Sequence, residues 1–160
     1  MTDAENRAYK KFMLSVALSG GDKIANQIDV TRPFTFGAKI YVMLITDRLF
    51  SCADSLREYM RNSVDVVVDL VYSVEEARLR MPDRQRYDFL IIVGYLESAH
   101  NYDIIKEIKK INKDVITIMY ARPDFVIKDE CRRHKIEHAF SREDPVASFI
   151  DYMRTLYDGR

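Results

Sequence analysis

The residues best placed for chemistry stand at the end of the run Tyr87–Gly94, which has the pattern of a buried central strand. In open parallel sheets, ligands and substrates bind at the carboxyl ends of the strands. A strand that supplies a nucleophile or accepts a phosphoryl group would carry an acid or another reactive side chain there. This run ends on Val93 and Gly94. The pattern therefore favours a recognition module over a phosphate-handling or hydrolytic enzyme.

Other candidate groups for catalysis or metal binding are scattered along the chain. His100, His134 and His138 are predicted in a loop, at a helix end and in a strand, so separate structural or surface roles are favoured over a three-histidine metal site. The glycine-rich turn Ser19–Asp22 follows a predicted helix, whereas a phosphate loop follows a strand. The segment Ser141–Asp144 is more typical of a helix cap than of a catalytic group. No catalytic triad or nucleophile elbow can be placed at the strand ends.

Composition excludes several further classes of protein. The chain has 160 residues, of which 48% are hydrophobic, enough for the core of one domain. Its 25 basic and 25 acidic residues balance, so the basic surface expected of a nucleic-acid binder is not indicated. Runs such as Lys109-Lys110 and Arg132–Lys135 are interpreted as solvated helix faces.

Targeting and redox signals indicate a cytoplasmic location. No apolar run is long enough to span a bilayer, and Met1–Gly20 lacks the pattern of a signal peptide. Cys52 and Cys131 fall in predicted helices, and neither belongs to a Cys-x-x-Cys motif or a Cys/His cluster. Two reduced thiols are therefore predicted, with no disulfide or metal site.

The elements that position these groups alternate regularly from Ala38 onward. Short β-branched runs followed by helical patterns predict repeated βαβ units and a parallel sheet with helices on both faces. The predicted strands are Lys39–Ile45, Val64–Leu70, Tyr87–Gly94, Asp114–Tyr120 and Ile136–Phe140. The predicted helices are Ser51–Arg61, one from Ser73 to about Met81-Pro82, Asn101–Lys113, Pro123–His134 and one that starts at Pro145. Asp65 and Asp69 place the second strand near a sheet edge.

The first 37 residues do not follow this alternation and are predicted to form a helical extension ahead of a domain over residues 38–160. Ala4–Leu18 has an apolar helix face, and Gly20-Gly21 would end that helix. A short helix of this kind is stable only when its apolar face is covered. The cover could be the extension's own domain or a second subunit, and the sequence does not choose between them.

The order of elements resembles the response-regulator receiver family, which has the flavodoxin-like fold of CheY. The resemblance runs from about Lys39 to Asp158 and is strongest over Tyr102–Ile116, which is similar to a receiver third helix leading into its fourth strand. It implies a (βα)5 three-layer sandwich with a five-stranded parallel sheet.

The family's functional positions have mostly different residues here. The matching positions are Thr46 and Asp47 after the first strand, Val93 or Gly94 for the phosphate-accepting aspartate, Tyr120 and Ala121 for the small hydroxyl residue and its neighbour, and Arg142 for the lysine of the fifth strand. One acid remains of the pair that helps to hold magnesium in the family, and a single aspartate would bind that ion weakly. The resemblance therefore implies a degenerate pseudo-receiver without phosphorylation, metal or cofactor. Asp47 and Arg142 could form a fixed ion pair, or Arg142 could point into water.

The expected function is a non-enzymatic, phosphorylation-independent signalling domain that acts through a protein partner or by dimerisation. Receivers often pair through the fourth helix, fifth strand and fifth helix, and that face would make a homodimer plausible. Its candidate interface residues are Lys128, Asp129, Arg132, Arg133, Asp151 and Arg154. Binding to nucleic acid or membrane is not expected. Whether the chain works alone or within a longer regulator stays open.

Two alternatives remain. One is a small-ligand sensor in which Tyr95, Tyr120 and Arg142 line a strand-end pocket for an anion or a metabolite. A flavodoxin-like enzyme is the weaker alternative, because Thr46–Leu49 lacks the hydroxyl and glycine residues that usually surround a flavin phosphate.

Overall fold

The computed structural model describes residues 36–47, 52–63, 65–83, 86–122 and 124–159. The predicted amino-terminal helix, the Gly20-Gly21 break and the Ser19–Asp22 turn lie outside these ranges. Within them, no helix is both long and apolar enough to cross a bilayer.

Five parallel strands form one sheet in the order β2-β1-β3-β4-β5. They are β1 (Ile40–Ile45), β2 (Val66–Val71), β3 (Phe89–Val93), β4 (Ile116–Ala121) and β5 (His138–Ser141). The predicted flavodoxin-like sheet is confirmed. β3 lies at its centre and is buried along its whole length, as a continuous apolar run predicts for a strand covered on both faces. β2 is an edge strand, as Asp65 and Asp69 indicated.

Among the described residues, five α-helices cover the sheet, namely α1 (Ala53–Met60), α2 (Val74–Arg80), α3 (Asp103–Ile111), α4 (Phe125–His134) and α5 (Val146–Asp158). Capping side chains explain where two of them begin. The Ser73 hydroxyl accepts a hydrogen bond from the Glu76 N–H at 3.1 Å, as predicted, and the Asp124 carboxylate accepts one from the Ile127 N–H at 2.9 Å. Short 3₁₀ turns follow α2 at Met81–Asp83 and precede α3 at Ala99–Tyr102.

The core consists of two apolar layers, one on each face of the sheet. One layer joins the sheet to α2, α3 and α4, and the other joins it to α1 and α5. Ile104, Ile105 and Ile108 of α3 are buried, but Ile111, which the periodicity placed on the same face, is 45% exposed at the end of the helix. The three-layer arrangement brings the strand ends together at one edge.

Four strands, β2 to β5, start two residues later than the apolar patterns predict, and the difference has a local cause at β2 and at β5. Before β2, the Asp65 carboxylate accepts hydrogen bonds from the N–H groups of Phe36 and Gly37 at 2.9 and 3.1 Å, so this region holds the entry to β1. Before β5, the Ile136 N–H donates to the Cys131 carbonyl at 2.9 Å, so Ile136 still belongs to the end of α4.

Candidate functional site

The sheet topology brings the seven predicted site residues to one edge, at the carboxyl ends of the strands. They are Thr46, Asp47, Val93, Gly94, Tyr120, Ala121 and Arg142. Backbone hydrogen bonds fix their relative positions, because the Gly94 N–H donates to the Tyr120 carbonyl at 2.9 Å and the Arg142 N–H donates to the Ala121 carbonyl at 3.2 Å. Thr46 is fully buried, and its N–H donates to the Val71 carbonyl at 3.2 Å.

The end of β3 carries no carboxylate. Val93 is 1% exposed and belongs to the apolar layer beneath α1 and α5. Gly94 follows with φ of 75°, a left-handed conformation that favours glycine. A Cβ atom added to Gly94 would meet no atom within 4 Å, so the backbone conformation, and not crowding, is what favours glycine at this position.

Asp47 is the one acid of the predicted site, and one of its two carboxylate oxygens already accepts a hydrogen bond. Its Oδ2 accepts a hydrogen bond from the Ser98 N–H at 2.9 Å. Its Oδ1 is buried and has no hydrogen-bond partner. The hypothesised ion pair with Arg142 is not formed, because Asp47 turns toward the loop after β3.

Arg142 instead lies near Cys52, at the start of α1. Burial raises the pKa of the Cys52 thiol, and the nearby Arg142 guanidinium opposes that rise. Cys52 precedes α1 and does not lie within it as predicted, so its side chain is available to this edge of the sheet. The sequence analysis missed Cys52 as a site residue. Its position five residues after Asp47, at the predicted helix start, was the signal that could have identified it.

Tyr120 is a core residue at the position where the family has a small hydroxyl residue. It is 3% exposed, and its ring centroid lies 4.7 Å from that of Phe149. Burial raises the pKa of Tyr120 to about 12, and Arg142 partly opposes the shift. Of the three residues predicted to line a ligand pocket here, Tyr120 is thus buried, while Tyr95 is 39% exposed.

The three histidines have separate partners. The His100 Nε2 lies 2.9 Å from a Glu75 carboxylate oxygen, and the His134 Nε2 lies 3.2 Å from one of Glu130. His138 makes an edge-on ring contact with Tyr152, with centroids 6.1 Å apart. In the part of the chain that the structure covers, no group of three or more histidine, cysteine, aspartate or glutamate side chains has the arrangement of a metal site.

The segment Ser141–Asp144 forms a turn and does not cap a helix as predicted. The Ser141 hydroxyl accepts a hydrogen bond from the Glu143 N–H at 3.1 Å, and the Ser141 carbonyl accepts one from the Asp144 N–H at 3.2 Å. α5 begins after Pro145 without a side-chain cap.

The candidate interface residues lie on α4 and α5, and most of them form ion pairs within their own helix. The Asp129 carboxylate contacts the Arg132 and Arg133 guanidinium groups at 2.6 and 3.0 Å, and the Arg132 hydrogen bond is the main reason that the pKa of Asp129 is lowered. Asp151 and Arg154 form a longer pair at 3.5 Å. These charges are therefore partly neutralised before any partner binds.

No protein-family model matches the chain, and no curated protein matches its sequence. Similar solved structures include receiver domains. A signal receiver domain of an HD domain-containing protein from Pseudomonas fluorescens aligns with a TM-score of 0.60 at 11% identity, over 76% of this chain and 96% of that chain. The chemotaxis response regulator CheY4 of Vibrio cholerae aligns with 0.58 at 11% identity, over 74% and 99% of the two chains. A CheY-like receiver domain from Methanospirillum hungatei gives 0.58 at 8% identity, over 76% and 96%. The chain thus has the receiver fold.

Proposed function

We propose that this chain is a receiver-like signalling domain that acts through contacts with a protein partner and is not switched by phosphorylation. The observation that carries the proposal is the end of β3, where buried Val93 and left-handed Gly94 occupy the position at which receivers accept a phosphoryl group. A phosphoryl group needs a nucleophilic carboxylate at that point. Neither residue supplies one.

The surroundings of Asp47 support the same conclusion. Magnesium requires several oxygen ligands in near-octahedral geometry. Here one carboxylate faces the strand ends, and its Oδ2 is already hydrogen-bonded to the Ser98 N–H. The Arg142 guanidinium lies near Cys52 and Tyr120, whose raised pKa values it partly opposes. These contacts form without a phosphoryl group, which supports a function that needs no phosphorylation switch.

Mass spectrometry of the intact protein after incubation with acetyl phosphate and Mg²⁺ tests the proposal. The mass should stay unchanged, while a receiver domain with an aspartate at the end of its third strand, treated in parallel, gains a phosphoryl group. A stable adduct on any strand-end residue, Asp47 included, would contradict the proposal.

A small-ligand sensor remains the second candidate, and the unpartnered Asp47 Oδ1 favours it. A buried carboxylate oxygen without a hydrogen bond is energetically unfavourable, and a ligand donor could satisfy it. A thermal-shift screen separates the two functions. A rise in melting temperature with one class of metabolite, abolished by Asp47→Ala, would support the sensor. No response to any class would support the protein-contact function.

A further inference from the structure

A cavity of about 440 Å³ lies between α3 and α4, away from the strand-end site. None of the seven strand-end residues lines it. Its wall combines the outward side of α3 with the carboxyl end of α4 and the 3₁₀ turn Ala99–Tyr102. The basic side chains that line it are Lys106, Lys109, Arg133 and Lys135, and the acid that lines it is Asp103. Its size is within the usual range for small-molecule sites, about 300–1,000 Å³.

The positive charge in this basic cavity is only partly balanced by the protein. Lys109 lies 3.9 Å from a Glu137 carboxylate oxygen, and Arg133 pairs with Asp129 at 3.0 Å and with Glu130 at 3.6 Å. Lys106 and Lys135 form no ion pair in the part of the chain that the structure describes. Basic residues in the last turn of a helix stabilise its dipole, which accounts for Lys109 and Arg133. That effect does not account for Lys106, which lies in the middle of α3.

Lys135 occupies a backbone conformation that a glycine would adopt more easily. Its φ and ψ are 57° and 42°, and it is the one non-glycine residue with positive φ among those described. A residue of this conformation after a helix is usually glycine. A lysine there is strained, and strained positions of this kind concentrate at functional sites. With this backbone conformation, Lys135 contributes its ammonium group to the lining of the cavity.

One wall of the cavity is rigid. The rings of Tyr102 and His134 stack with centroids 3.8 Å apart and an angle of 5° between their planes. The Tyr102 hydroxyl accepts a hydrogen bond from the Leu96 N–H at 2.9 Å, and the His134 Nε2 lies 3.2 Å from Glu130. Both rings are therefore held from two sides. A preformed wall lowers the entropy that binding would otherwise remove.

We propose that this basic cavity binds a small molecule that carries two or more linked phosphate groups. Several ammonium groups around one cavity suit a compact ligand with many anionic oxygens, because each ammonium can donate to a phosphate oxygen. The site would give the domain a chemical input that does not depend on its strand ends. The phosphates could belong to a pyrophosphate-like anion or to a nucleoside diphosphate, in which case the base would contact His134.

Calorimetric titration of the full chain with pyrophosphate, ADP and inorganic phosphate tests this site. We expect pyrophosphate and ADP to bind more tightly than inorganic phosphate. Tighter binding of ADP than of pyrophosphate would identify a nucleotide as the ligand, and equal binding would identify the phosphates alone. The double variant Lys106→Gln/Lys135→Gln should weaken binding by at least about fivefold. Its matched control is Lys110→Gln/Lys128→Gln, which removes two exposed lysines from the same helices outside the cavity.

A second variant separates ligand binding from stability. Lys135→Gly removes the cation and relieves the left-handed strain, so it should raise the melting temperature by about 1–4 °C while it weakens binding. Lys135→Arg should keep the affinity. The site is overturned if the wild-type chain binds none of the three probes, if the control double variant weakens binding as much as the cavity variant, or if Lys135→Gly binds as tightly as the wild type.

Discussion

The carboxylate of Asp47 accepts a hydrogen bond from the backbone N–H of Ser98 across 2.9 Å, so the end of β1 is fastened to the loop that follows β3. In a sheet whose strand order places β1 beside β3, this contact joins two neighbouring strand ends. Asp47 forms no ion pair with Arg142, whose guanidinium lies near Cys52 and Tyr120 and opposes the rise in their pKa values. The strand-end residues therefore form two separate groups.

The separation predicts that Asp47 and Arg142 contribute to stability independently. Asp47→Ala should lower the free energy of unfolding by about 1–2 kcal/mol, because it removes a hydrogen bond to a charged acceptor. In a double-mutant cycle with Arg142→Ala, measured by urea unfolding, the two effects should add within about 0.5 kcal/mol. A larger coupling energy would indicate that Asp47 and Arg142 interact directly, as in the ion pair that the sequence suggested.

The fold could be predicted from the sequence because its signals are local and repeated. Apolar runs such as Tyr87–Gly94 and the amphipathic pattern of α3 each identify an element without knowledge of the rest of the chain. The errors at strand starts arose where side chains or turns replace ladder hydrogen bonds. The Asp65 carboxylate accepts a hydrogen bond from the Phe36 N–H, and the Ile136 N–H donates to the end of α4. Neither contact can be predicted from the pattern of neighbouring residues.

The site could be predicted only at the level of position. The resemblance located Thr46, Asp47 and Arg142 at the strand ends, because that placement follows from topology. The directions of their side chains depend on partners that are remote in sequence. Ser98 is 51 residues from Asp47 in the sequence, and several βα units separate Cys52 from Arg142. The basic cavity was missed because its lysines had been interpreted as solvated helix faces.

The amino-terminal extension is predicted to cover apolar surface and not to be a free tail. Its first described residue, Phe36, is 8% exposed and contacts the rings of Phe89 and Tyr157 with centroids 6.3 and 6.1 Å apart. The extension therefore joins the domain next to the core. Deletion of Met1–Gly21 should lower the melting temperature by about 5 °C or more, or change the oligomeric state.

Calorimetry and sedimentation of the truncated and full chains check this prediction side by side. A truncated protein with the same melting temperature, the same mass in solution and the same hydrogen-exchange protection would show that the segment covers nothing.

Self-association through α4, β5 and α5 is a further prediction. Arg132 is 84% exposed even though it pairs with Asp129, so it can reach an acid on a second copy. Exposed pairs each contribute little, and the half-buried rings of Phe140 and Tyr152, 5.2 Å apart, would supply apolar contact beneath them. Arg132→Glu combined with Arg154→Glu should weaken a dimer by about tenfold or more in sedimentation equilibrium.

The matched control for that face is a charge reversal on a different surface of the domain. Arg78→Glu changes a cation of α2 that pairs with Glu107 of α3, outside the candidate interface, and it should leave the dimer intact. A monomer at high micromolar concentration, or a dimer that survives the double reversal, would assign the interface to another surface.

Tyr120 predicts how the stability of the domain changes at alkaline pH. The phenol titrates near pH 10 in an unfolded chain, and burial raises its pKa to about 12 in the folded protein. The folded state therefore holds more protons between these values, so the stabilisation is complete below pH 10 and is lost as the pH rises through about 12, by at most about 3 kcal/mol.

Tyr120→Phe keeps the ring against Phe149 and removes the titrating group. Urea unfolding from about pH 8 to about pH 11 should show a smaller loss of stability in Tyr120→Phe than in the wild type, because the variant lacks the titrating phenol. Some loss should remain in both proteins, because both keep the other buried phenols and thiols. Identical pH profiles would mean that Tyr120 ionises as readily in the folded chain as in the unfolded one, and that the strand-end edge is open to water.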